Sequence, residues 1–112
     1  MKVLLIASVL LITSFFSQAT TGNDLYVQYI EYEKMMSNKE VDSYKVNIFM
    51  GYVSGVSELM SGIGVLCVEK GVTQGQIYDI VGKYLRDNPA ERNQKAPPLI
   101  SGSLMLRFPC EE

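Results

Sequence analysis

Cysteine and histidine set the limits on the chemistry this chain can attempt. Cys67 and Cys110 are the only two thiols, and there is no histidine at all. A catalytic thiol needs a base beside it to become a thiolate, and the usual base is an imidazole. The missing histidine also removes the commonest general base and the commonest zinc ligand. Two sulfurs cannot build a four-sulfur metal site within one chain. The carboxylates Glu31, Glu33, Glu40, Asp42, Glu58, Glu69, Asp79, Asp87 and Glu91 show no paired spacing suited to acid/base work, and a solvated surface accounts for them. Gly51 and Gly55 are not followed by the Gly-Lys-Ser/Thr of a phosphate cradle. No enzyme activity, cofactor or metal is expected, and the residues favour a binding or structural module.

Ten Lys and Arg against twelve Asp and Glu give a formal charge of −2, which argues against a nucleic-acid partner. The 112 residues suffice for one domain. Met1-Lys2 followed by the uncharged run Val3 to Phe16, then Ser17-Gln18-Ala19, has the form of a secretory signal peptide with a cleavage site after Ala19. The apolar run is short for a membrane span of about 20 residues. The expected organisation is a leader at 1–19 and a helical domain at 20–112, with no stable membrane insertion after cleavage. Without Lys2 the exported chain carries nine basic residues against twelve acidic ones, a charge of −3. Export makes a single Cys67–Cys110 disulfide the default for an even cysteine count. The rival reading, a catalytic cysteine, lacks a histidine partner.

Helical periodicity dominates the remainder, giving an all-α bundle of about four helices. Asn23 or Asp24 can cap a first helix reaching Met36, with Leu25, Tyr29, Tyr32 and Met36 on one face. Asp42 caps a second, near Ser43 to Ser61, with the stripe Val46, Phe49, Val53, Val56 and Met60. Thr73 and Gln76 have the spacing of a capping box that opens a third helix, ending near Asp87. Its apolar face is Ile77, Ile80, Val81, Tyr84 and Leu85, and Asp79–Lys83 forms an acid-before-base pair on the outside. Asn88-Pro89 stops it. Pro97-Pro98 opens a fourth helix with Ile100, Leu104 and Phe108 on one face, and Pro109 ends it.

Gly51, Ser54, Gly55 and Glu58 fall along one side of the second helix. Glycine costs about 1 kcal/mol in a helix interior, so two of them call for close approach of another helix, within the chain or across a dimer. The seven tyrosines read mainly as half-buried rings, and an exposed one would serve as a partner anchor.

Several stretches, in order, carry a family resemblance: Gly22-Asn23-Asp24-Leu25, Phe49-Met50-Gly51-Tyr52-Val53-Ser54-Gly55-Val56, Cys67 to Gln76, Val81 to Pro89, and Phe108-Pro109-Cys110. Together they resemble the Rap/Tai family of periplasmic immunity proteins, which protect bacteria from type VI secretion amidase effectors. Members often carry two more cysteines, at places held here by Tyr29 and Met50. Loss of both as a pair is consistent with Cys67–Cys110 as the surviving bridge. The resemblance implies a homodimer that binds and blocks an amidase toxin in the periplasm. The candidate plug for the toxin's groove is the polar connection containing Asn88, Glu91, Arg92, Asn93, Gln94 and Lys95. The alternative is a periplasmic protein-binding or assembly-support module of the same fold.

Overall fold

Capping residues punctuate the chain. The computed structural model describes residues 19–111, among which there are four α-helices and one 3₁₀ turn. The helices are α1 (Gly22–Met36), α2 (Ser43–Gly62), α3 (Gln74–Asp87) and α4 (Ala96–Arg107), with the turn at Pro89–Glu91 before α4. The expected leader falls almost wholly on residues 1–18, outside the described ones.

The N-cap of α1 lies two residues before Asn23 and three before Asp24, the two expected caps. Thr21 is the N-cap, its hydroxyl accepting from the Asp24 N–H while the Asp24 carboxylate accepts from the Thr21 N–H at 3.0 Å. Asp24 is thus the far half of a capping box, not the cap itself. Asn38, at φ 57°, occupies the left-handed region in the connection that follows. The other starts fall where their residue types place them. Asp42 accepts from the N–H groups of Tyr44 and Lys45, and Thr73 exchanges hydrogen bonds with Gln76.

The core is enclosed by all four helices, with Leu25, Phe49, Val53, Val81, Leu85, Ile100 and Leu104 fully shielded from solvent. Burying a side chain of this kind stabilises the fold by about 1.5–3 kcal/mol. Tyr29, Tyr32, Phe49 and Tyr78 pack as one aromatic cluster with ring centroids 5.4 to 6.1 Å apart. Burial pushes the phenols of Tyr29 and Tyr32 up from their ordinary value. One expected core position differs and one is only half-buried. Met36 ends α1 exposed, and Val56 packs half-buried against the core while its neighbour Ser57 on α2 is the more deeply buried. Ser57 is tolerated there because its hydroxyl donates to the Ser54 carbonyl at 3.1 Å.

Cys67 and Cys110 form the expected disulfide, with Cα atoms 5.0 Å apart. It ties the α2–α3 connection to the segment after α4. The same junction is reinforced by the Cys67 N–H donating to the Phe108 carbonyl at 3.1 Å, and by burial of Leu66 and Phe108.

Candidate protein-interaction surfaces

The connection from α3 to α4 is polar in sequence, yet it is held along most of its length. Its main chain lies against the start of α1. The Gly22 N–H donates to the Gln94 carbonyl at 2.9 Å and the Asn23 N–H to the Arg92 carbonyl at 2.7 Å. These are two of the donors that a helix start leaves without intrahelical partners. Thr21 and Lys95 form an antiparallel bridge, and the Ala96 N–H donates to the Thr20 carbonyl at 2.8 Å. Gly22 is buried at this crossing, where an added Cβ would come within 2.9 Å of the Arg92 main chain.

Arg92 anchors the other side. Its Nε donates to the Leu85 carbonyl at 2.6 Å and its Nη2 to the Arg86 carbonyl at 3.2 Å, so a cation closes the C-terminal end of α3. The same guanidinium lies 3.8 Å from the centre of the Tyr26 ring on α1. Tyr84 donates to the Glu91 carboxylate, and that bond holds the Tyr84 phenol above its ordinary value. Asn88 donates its side-chain amide to the Tyr84 carbonyl at 2.8 Å. The six residues expected in this segment therefore divide by task. Asn88, Glu91 and Arg92 hold it in place, while Asn93, Gln94 and Lys95 present exposed side chains at its tip.

Helix α2 carries the second candidate face, and here the expected neighbours separate. Ser54 turns toward α3, its hydroxyl 2.7 Å from the Tyr78 hydroxyl. Gly51 and Gly55 point away from the other described elements, and a Cβ on either would meet nothing within 4 Å among them. No helix among the described residues accounts for these two glycines. Tyr44, Ile48 and Leu59 are exposed on the same helix, Tyr44 at 74%, as is Ile63 at its C-cap. Glu58 borders a cleft of about 260 Å³ between α2 and the start of α3, floored by Val68, Val72 and Ile77.

The glycines that do mediate close packing are others. Gly82 on α3 is buried directly against the Tyr29 ring, where any Cβ would collide with it. The sequence carried one signal for this: Gly82 interrupts the best apolar face of the chain between Val81 and Leu85. The outer pair on α3 also differs from expectation, since Lys83 bonds Asp87 at 2.5 Å rather than Asp79. Among the described residues no group of acidic and sulfur side chains converges as a metal ion requires. No helix among them is long and apolar enough to cross a membrane.

Residues 21–110 match the family described as Rap1a immunity proteins. No curated protein matches the chain.

Proposed function

The chain belongs to the Rap1a immunity proteins, and from that premise we propose that it blocks a type VI secretion peptidoglycan amidase in the periplasm. Membership makes it an immunity protein directed at a secreted effector, an inhibitor rather than an enzyme. Inhibition proceeds by occlusion: the tip Asn93-Gln94-Lys95 enters the toxin's substrate groove and excludes the peptide. The observation that supports this reading is the double anchoring of the tip by α1 and by Arg92. A tip already fixed in one conformation loses little entropy when it binds, so more of its contact energy appears as affinity.

The test is co-expression of the full chain, with its export signal, beside a candidate amidase directed to the periplasm. Survival of the cells supports the assignment. Lysis despite stable expression overturns it for that toxin. The tip is tested by Lys95→Glu combined with Gln94→Glu, expected to abolish protection while leaving the folded protein at its normal level.

The open face of α2 favours a second copy as a further partner, because two glycines with no neighbour among the described residues allow another helix to approach closely. Sedimentation of the mature chain should give a dimer, and Gly51→Arg a monomer. A wild-type monomer at high concentration removes the dimer from the mechanism.

A further inference from the structure

One buried acceptor in the domain has no partner. The Gln28 Oε1 is shielded from solvent and receives no hydrogen bond among the described residues. An orphaned acceptor of this kind is destabilising, since its lost hydration is not replaced. Gln28 lines a cleft of about 320 Å³ between α1 and the first turn of α2, together with Thr20, Asp24, Val27, Tyr44 and Lys45. Asp24, one helical turn before Gln28, reaches back over this end of α1, its carboxylate 3.0 Å from both the Thr21 N–H and the Thr21 hydroxyl. The cleft therefore offers a carboxylate and an unpaired amide oxygen, one turn apart, beside Thr20.

Thr20 is the residue that removal of the leader after Ala19 would make the first of the exported chain. We infer that leader cleavage completes this site, the new α-ammonium group of Thr20 entering the cleft to bond Gln28 Oε1 and pair with Asp24. Hydrolysis of the Ala19–Thr20 peptide bond replaces one amide N–H with three ammonium protons and a positive charge, new donors beside an acceptor that has no partner among the described residues. Tyr44 and Lys45 wall the site. The Lys45 charge, with that of Lys95 beside Thr21, opposes the ammonium, while Asp24 and the Asp42 carboxylate at the start of α2 favour it. Maturation on this account tightens the α1–α2 junction, so the processed form is the more stable one.

The inference rests on the export reading, and the intact mass of the exported protein tests the cleavage point by itself. The pairing is tested on chains made to start at Thr20, with the α-amine either free or acetylated, and melted near pH 6, where a free α-amine is charged. Acetylation ordinarily stabilises a protein whose first helix begins at the terminus, because a positive charge there opposes the helix dipole. The pairing reverses that sign: the acetylated chain should melt about 4 °C lower than the free one. The Gln28 side-chain amide resonance should also move between the two forms. In a Gln28→Met background the melting difference should shrink to about half or less. Equal melting temperatures, a higher one for the acetylated chain, or a difference undiminished in Gln28→Met would each overturn the contact.

Discussion

A methyl group added to Gly82 has no space, because the Tyr29 ring fills the position a Cβ would take. Tyr29 belongs to the buried aromatic cluster and cannot swing into solvent, so Gly82→Ala should destabilise the domain by about 1–3 kcal/mol. Gly51→Ala and Gly55→Ala should do the opposite, since their Cβ atoms meet nothing and alanine is the better helix former by about 1 kcal/mol. Urea unfolding of the three variants checks both signs together. If α2 is the dimer face, the two stabilising substitutions should also weaken self-association, which separates a fold role from a partner role. This contrast marks what the sequence could and could not disclose at the residue level. The cost of a helical glycine is visible in the sequence, whereas the neighbour that repays it is a tertiary fact. Gly51 and Gly55 drew notice as a pair, but Gly82 is the one pressed against a ring.

Helix boundaries were legible wherever the capping chemistry was local. Asp42, Thr73 and Gln76 are both the residues expected and the residues observed, since each cap is completed within three positions. The exception is the start of α1, an equally local capping box, misplaced because Asp24 has the chemistry of a cap itself while serving as the far half of a box opened by Thr21. The Arg92 and Gln94 carbonyls, some seventy residues away, then accept from its first turn. The connection after α3 was legible as polar and non-helical, but its anchoring was not, because hydrogen bonds from Arg92 to main-chain carbonyls leave no pattern in sequence. Arg92→Ala should therefore loosen the tip and cost about 2 kcal/mol of stability. Arg92→Lys should recover only part of it, since an ammonium cannot span two carbonyls and a ring face as the planar guanidinium does. A second inter-element tie responds to pH. The Glu31 carboxylate is held below its ordinary value, first by Lys34 at 2.8 Å and then by the Asp42 N–H at 3.0 Å. The unfolded chain lacks both partners and binds the proton more readily. The contribution is thus complete above the ordinary carboxylate pKa and lost as pH falls through the lowered one. Glu31→Gln should flatten the stability profile between about pH 3 and pH 5, measured as the midpoint of urea unfolding.

The scale of the whole domain decides how much the single bridge matters. A domain of this size buries a modest share of its surface, and net stabilities of small domains run to about 5–15 kcal/mol. Closing a loop with its ends 43 residues apart restricts the unfolded chain by roughly 4 kcal/mol in the chain-entropy estimate. The junction also has non-covalent ties, among them the Cys67 N–H to Phe108 carbonyl bond and the Arg107–Glu69 pair at 3.4 Å. Those ties have formed in the folded state whether or not the sulfurs are joined, so reduction should leave the helices intact while lowering the free energy of unfolding. Cys67→Ala/Cys110→Ala should accordingly keep the far-ultraviolet dichroism of the native protein and unfold at a much lower urea concentration. On the export reading this couples stability to compartment. A chain lacking residues 1–19 and retained in the reducing cytosol should hold both thiols free, melt with the double variant, and be degraded faster than the exported form. If the retained and exported chains have the same melting temperature and lifetime, the bridge contributes nothing that the buried Leu66 and Phe108 do not already supply.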